Sequence, residues 1–177
     1  MQKAVIDGQK IYLRLVEAGD ANQSYCRWMN DPEVTRYTES RFCTHTVEDI
    51  KCYIEKETQS GSVFLAIIAK ESNKHIGNIK IHRINKRHKH GEMSLLIGDK
   101  DYWGRGIATE AIKLMTDYAF TVLSFHKLYA SVYSVNIGSI KAFKKAGFKE
   151  EGTMKEQYFC EGGYVDAVLL GRINKLS

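Results

Sequence analysis

Proline is almost absent from this sequence: Pro32 is the single one among 177 residues. No run is of low complexity and no segment repeats, so nothing has the composition of a linker. The length suits one domain, residues 1–177, able to bury a sizeable core. No apolar run approaches the ~20 residues of a membrane-spanning helix, so no membrane partner is expected. Residues 1–10 have no apolar h-region; no secretory leader is expected, and the expected location is cytoplasmic. The four cysteines, Cys26, Cys43, Cys52 and Cys160, form no Cys-x-x-Cys pair and have no histidine at zinc-site spacing. Free thiols and no metal are the expectation. A net charge of +5 is too weak to argue for DNA and suits a small anionic ligand.

What the sequence does contain is clear periodicity. Residues 11–16 alternate Ile11, Leu13 and Leu15 against Tyr12, Arg14 and Val16, a strand. Asp20 is the expected N-cap of a helix reaching about Asn30, where Pro32 disfavours helix at Asp31. Residues 33–42 are polar and hold Arg36, Tyr37 and Arg41. Thr46 and Asp49 open a second helix with a capping box, ending near Ser60 and Gly61. The apolar run 62–69 predicts a strand covered on both faces. Strands follow at 75–84 and 92–97, joined by a charged connection. A helix comes next, with an apolar face of Ile107, Ala108, Ala111, Ile112, Met115, Tyr118, Ala119 and Val122. The chain closes with a strand at 127–134, a short helix at 136–146 ended by Gly147, and strands at 148–155 and 164–170 around Glu161, Gly162 and Gly163. Neither a doubly wound sheet nor a barrel alternates in this order.

Where the 92–97 strand hands over to the long helix stands Trp103-Gly104-Arg105-Gly106-Ile107-Ala108-Thr109-Glu110-Ala111. A helix start leaves its first backbone N–H groups unpaired and carries the positive end of the macrodipole. Glycines let a phosphate approach closely and Arg105 adds charge, so the stretch predicts a pyrophosphate cradle. It is not a dinucleotide fingerprint, because Thr109 fills the third glycine position and no acidic residue follows to close a βαβ unit. Nor is it a P-loop, since Gly-Lys-Ser/Thr is absent. It resembles the acetyl-coenzyme A loop of the GNAT acyltransferases, Gln/Arg-x-x-Gly-x-Gly/Ala, in the variant of the RimJ/RimL-like branch. Gly106 and Ala108 match its last fixed positions and Trp103 replaces Gln/Arg. A second stretch, residues 136–148, resembles the GNAT pattern Asn-x-x-Ser/Ala-x-x-x-Tyr/Phe-x-x-x-Gly-Phe at Asn136, Ser139, Phe143, Gly147 and Phe148. The element order is that of the GNAT fold over nearly the whole chain: an α/β (α+β) single domain with a mixed central sheet flanked by helices.

The resemblance implies acetyl transfer from acetyl-coenzyme A to a primary amine in a ternary complex. It implies that Leu96, Ile97, Trp103, Gly104, Arg105, Gly106, Ile107, Ala108, Thr109, Asn136, Ser139 and Phe143 hold the cosubstrate. Asn136, with both donor and acceptor, would take the amide-rich arm, and a backbone N–H of the 92–97 strand would polarise the thioester carbonyl. Phe143 stands where many members have a tyrosine acid and has no hydroxyl; RimL-like enzymes have a serine at the position of Ser139, so the resemblance implies that Ser139 donates to the departing thiolate. Alternation puts Glu92, Ser94 and Leu96 on one strand face. A carboxylate there faces a cleft or a cation, and relatives place the general base at the matching position, so Glu92 is the candidate base. Glu110 suits the helix dipole and reads as structural. Arg83, Lys86, Arg87, His88, Lys89 and His90 form a basic run, and Tyr158, Phe159, Tyr164 and Asp166 are candidates for an acceptor mouth. The stretch 28–34 with Tyr37 and Arg41 resembles enzymes that acetylate nucleotide-linked amino sugars, the first expectation. A protein N-terminus or another small amine is the alternative; the basic run counts against a polyamine, and a coenzyme A-binding sensor or scaffold is the non-enzymatic rival. A monomer or homodimer is expected.

Overall fold

The computed structural model describes residues 6–175. Eight strands form one sheet. β1 (Ile6–Asp7), β2 (Ile11–Leu15), β3 (Val63–Ala69), β4 (Lys74–Asn85) and β5 (His90–Ile97) form an antiparallel series. β6 (Lys127–Tyr133) joins β5 in parallel. β7 (Lys149–Cys160) and β8 (Gly163–Ile173) form the last hairpin, with β8 inserted between β6 and β7. The helices are α1 (Gln23–Asn30), α2 (Pro32–Thr35), α3 (Val47–Gln59), α4 (Ile107–Thr121) and α5 (Ile137–Lys145). No helix among the described residues is long and apolar enough to cross a membrane.

Two apolar clusters sandwich the sheet. The larger joins α4, through Ile107, Ala111, Ile112, Met115 and Ala119, to Leu65, Ile67, Ile79, Ile81, Met93 and Leu128 of the strands. The smaller packs Tyr25 of α1 and Ile50 and Ile54 of α3 against Phe64. Leu65 and Ile67 thus enter one cluster and Phe64 the other, so β3 is covered on both faces, as its unbroken apolar run predicts. Truncating Ile112 or Met115, both fully buried, removes about 2–5 kcal/mol. Val122 does not belong to the apolar face: it lies past the end of α4 and is exposed.

Other local expectations are corrected. Asp20 is not the N-cap of α1; Asn22 is, its side chain accepting from the N–H groups of Ser24 and Tyr25. Asp20 is buried instead, held bidentately by Arg14 at 2.6 and 2.7 Å. Pro32 does end α1, but it also opens α2 as its first residue, where its missing N–H costs nothing. The Thr46–Asp49 capping box is present. The last hairpin is longer than predicted: β7 runs on to Cys160, and β8 extends from Gly163 to Ile173.

One feature of the sheet positions the site. β5 and β6 pair only at His90, Gly91 and Glu92 with Lys127, Leu128 and Tyr129. Beyond Glu92 the two strands part, and a cleft opens between them.

Candidate active site

The cleft leads into two cavities of about 580 Å³ each. The first lies against the start of α4. Gly104 and Gly106 adopt left-handed φ of 73° and 81°, and the space around both is open. Gly106 is the N-cap of α4 and supplies no side-chain cap. Its carbonyl accepts the N–H of Glu110 at 3.1 Å, the first intrahelical bond. The N–H groups of Ile107, Ala108 and Thr109 precede that bond, and all three residues line the cavity. These glycines bring unpaired amides, the positive end of a helix dipole and free volume to one place, a fit for a pyrophosphate.

Trp103 braces this loop and lines the cavity: its indole N–H donates to the Ile97 carbonyl at 2.8 Å. Arg105 lies at the rim of the cradle. Its guanidinium pairs with Glu71 at 3.2 Å and lies over the Tyr102 ring, outside the lining of either cavity. Lys141 and Lys145 of α5 line the cradle cavity and bring positive charge to it. The signal for them was present: Gly138, Lys141, Ala142 and Lys145 share one helix face by their spacing, and all four line it. Glu110 is structural, its carboxylate accepting the Lys10 N–H at 2.8 Å.

Backbone alternation decides which β5 groups reach the cleft. The Gly98 N–H bonds to Ile76 of β4, whereas the Lys89 carbonyl accepts from His126 and Lys127 on the β6 side. Odd-numbered residues therefore aim their backbone groups toward β6 and even-numbered ones toward β4. Leu95 and Ile97 present N–H groups to the opening, while Leu96 is spent on β4 and offers the cleft its side chain. Trp28 packs so tightly over Gly98 that a Cβ there would lie 2.1 Å from its ring; Trp28 therefore shapes the end of β5.

The second cavity lies on the other side of the opening and is lined by Glu92, His82, Arg83, Lys80, Glu39 and Asp49 among several tyrosines. Glu92 is 9% exposed and sits opposite His82 in the ladder. Its Oε2 accepts from Arg83 Nη1 at 2.8 Å, and Arg83 is largely in solvent. Both expectations for Glu92, a cleft and a cation, are met at once. Burial pushes the His82 imidazole below its ordinary range, Lys80 adding to the effect against the opposing charge of Glu92. Lys80 is bound to Glu57 and to the Tyr53 hydroxyl, each at 2.8 Å. Arg41 donates to the Thr38 and Phe159 carbonyls and to the Tyr133 hydroxyl. Lys86, Arg87, His88 and Lys89 are exposed and line neither cavity. Of the C-terminal candidates only Tyr158 lines it; Phe159 and Tyr164 are exposed, and Asp166 pairs with Lys155 at 2.8 Å.

Six residues line both cavities: Tyr37, Thr38, Leu95, Leu96, Asn136 and Ser139. The junction brings residues of α5 and β5 together. Asn136 caps α5, its Oδ1 accepting the Ser139 N–H at 3.1 Å, and its amide NH2 group is left for a ligand. Phe143 is 2% exposed, packs edge-on against Phe148 and belongs to the wall of the carboxylate cavity, not of the cradle. Tyr37 and Thr38 reach the junction from the segment after α2.

Comparison with known proteins agrees with this geometry. Residues 10–149 match the family model described as "Acetyltransferase (GNAT) domain". The chain is 26% identical over 170 residues to the uncharacterized N-acetyltransferase p20 of Bacillus licheniformis, covering 94% of each. It is 38% identical over 92 residues to spermidine N(1)-acetyltransferase of Escherichia coli (strain K12), a match spanning 52% of this chain and 49% of that one. The fold superimposes with a TM-score of 0.83 on the crystal structure of spermidine N-acetyltransferase from Vibrio cholerae in complex with CoA and spermine, at 24% identity, over 94% and 97% of the two chains. With a glycine cradle at a helix start, a sheet opened beyond Glu92 and a family model over most of its length, this chain belongs to the GNAT acetyltransferases and is an acetyl-CoA-dependent N-acetyltransferase.

Proposed function

We propose that the acceptor is a small primary amine whose remainder carries positive charge, acetylated by an enzyme of the RimJ/RimL-like branch built as one domain. The observation that carries this is the lining of the second cavity. Glu39, Asp49 and Glu92 bring carboxylates to its wall among aromatic rings, and its cations, Lys80 and Arg83, are already bound to Glu57 and Glu92. A carboxylate has about four lone-pair sites and keeps accepting after one hydrogen bond. Tyrosine faces favour cations further. Part of the argument against a polyamine falls away, because Lys86 and Arg87 lie outside the cavity. A nucleotide-linked amino sugar needs cations aimed inward, whereas Arg41 is spent on carbonyls and the Tyr133 hydroxyl. The spermidine-acetylating relative supports the cationic class.

In this reading the amides of Ile107, Ala108 and Thr109, with Lys141 and Lys145, hold the pyrophosphate, and Asn136 holds the pantetheine arm. Leu95 or Ile97 N–H polarises the thioester carbonyl at the β5 edge. Glu92 takes the amine proton, directly or through water, which contributes ~10²–10⁴-fold. Ser139 hydrogen-bonds the departing sulfur. The test is thiol release from acetyl-CoA with spermidine, a uridine diphosphate-linked amino sugar and a peptide with a free N-terminus. Turnover of spermidine above the others is expected. Preference for the sugar nucleotide or the peptide overturns the acceptor class, and binding of acetyl-CoA without release for any amine leaves a coenzyme A sensor or scaffold.

A further inference from the structure

We infer that Tyr37 is a second catalytic residue at the junction and supplies the proton that the departing thiolate takes up. This rests on the proposed transfer, in which the acyl group arrives through the cradle cavity and the amine through the carboxylate cavity, so that the reacting atoms meet where the two cavities join.

Elimination singles out the donor. Of the six residues common to both cavities, Leu95 and Leu96 have no polar side chain. Thr38 Oγ1 donates to the Thr35 carbonyl at 2.9 Å. Asn136 Oδ1 is engaged in capping α5. Among the described residues that line both cavities, only Tyr37 and Ser139 carry a hydroxyl with no hydrogen-bonding partner. A phenol ordinarily ionises near pH 10 and a thiol near 8.5, so giving a phenol proton to a thiolate is uphill by only about 1.5 pK units. An aliphatic hydroxyl is a far weaker acid: it can hold the sulfur by a hydrogen bond, as proposed for Ser139, but is poorly suited to give its proton away. Phe143 has none to give.

The segment carrying Tyr37 is pinned on both sides. Upstream, Lys100 grips Asp31 and Glu33 at 2.8 and 2.9 Å. Arg36 pairs with Glu161 at the tip of the β7–β8 hairpin, and Arg41 holds the Thr38 and Phe159 carbonyls. The Tyr37 ring rests against Tyr133, centroids 5.9 Å apart. Several tethers in series hold a side chain in place where one exposed pair would not.

The step balances. The amine nitrogen attacks the carbonyl carbon and a C–N bond forms. The nitrogen's surplus proton passes to Glu92. The carbonyl re-forms as the C–S bond breaks, the electron pair staying on sulfur. The sulfur takes the Tyr37 proton, giving free thiol and amide; Glu92 then releases its proton to solvent and the phenolate takes one up, so no net proton is consumed.

The experiment compares wild-type enzyme, Tyr37→Phe and a variant with 3-fluorotyrosine at position 37, using acetyl-CoA and the best amine of the panel. We expect Tyr37→Phe to lower kcat ~10²-fold or more while the acetyl-CoA KM and the melting temperature stay put. The decline of wild-type kcat at high pH should vanish in the Phe variant and move to lower pH in the fluorinated one. A Phe variant with wild-type kcat overturns the inference, and so does one that keeps the high-pH decline or loses rate only in proportion to folded protein. A wild-type enzyme that releases thiol with no amine overturns the proposed function, and this inference falls with it.

Discussion

Replacing Glu92 by glutamine separates catalysis from structure, because the two roles predict different magnitudes. Glu92 is 9% exposed and touches one cation, Arg83, which is itself mostly in solvent. Glutamine keeps the shape and an oxygen able to accept from Arg83, and the guanidinium can be hydrated without moving far. An ion pair with one partner so exposed stabilises by at most about 1 kcal/mol, which for a chain of this size lowers Tm by about 2–4 °C. Loss of a general base costs ~10²–10⁴-fold in turnover, or about 3–5 kcal/mol of barrier at 1.36 kcal/mol per factor of ten. The catalytic penalty therefore exceeds the structural one severalfold. It should shrink as pH rises, because more of the amine is then already neutral. Thiol release across pH and the melting curve, read on one preparation, decide the matter. A stable variant whose pH–rate profile matches wild type would refute the assignment of Glu92 as base. A rate loss matched by lost folded protein would return it to a plain ion pair.

Gly106→Glu should abolish acetyl-CoA binding in calorimetry, since it places a side chain and a negative charge where φ is 81° and the helix amides are unpaired; unchanged affinity in a folded variant would contradict the cradle. Ser139→Ala should lower kcat more than acetyl-CoA affinity, as expected of a hydroxyl that meets charge only when the sulfur departs, and a wild-type rate would remove it from the mechanism. Asp20 gives an acid-stability prediction: burial alone would raise its carboxyl, but the Arg14 hydrogen bonds and the Glu17 N–H outweigh burial and hold it below the usual carboxylate range. Its folded-state pKa is depressed, so its stabilising contribution is present above about pH 4, the unfolded value, and fades as pH falls through the folded one. Asp20→Asn should therefore lower Tm at pH 7 and flatten its fall in acid; a wild-type acid profile would exclude this carboxylate as a source of it.

How much was legible follows from how far each cause reaches along the chain. The cradle was legible because its causes are local: two glycines, a helix start and the strand before them. Glu92 was legible through period-2 alternation and β3 through its unbroken apolar run. The partner of Arg105 was not legible, because charge in sequence says nothing of direction and Glu71 lies 34 positions away. Lys141 and Lys145 were readable from helical spacing once Asn136 was placed. Tyr37 resisted for a different reason. Its position follows from Pro32 starting a new short helix and from tethers to Lys100, Phe159 and Glu161, all distant in sequence. Asp20 was misassigned because an N-cap and a buried partner of Arg14 both call for a short acidic residue near a helix start.

The parting of β5 from β6 has a consequence for solubility. A strand edge with unmade backbone bonds ordinarily invites another chain to add on. Here such an edge, from Met93 to Ile97, faces β6 across the cleft, whose walls include the segment that carries Tyr37 and residues of α5. A foreign strand meets side chains before it meets amides, while a narrow, flexible arm bearing its own amides can thread in. The fold thereby keeps the hydrogen-bonding power of an open sheet while shielding it from aggregation, and the width of the gap decides what is admitted.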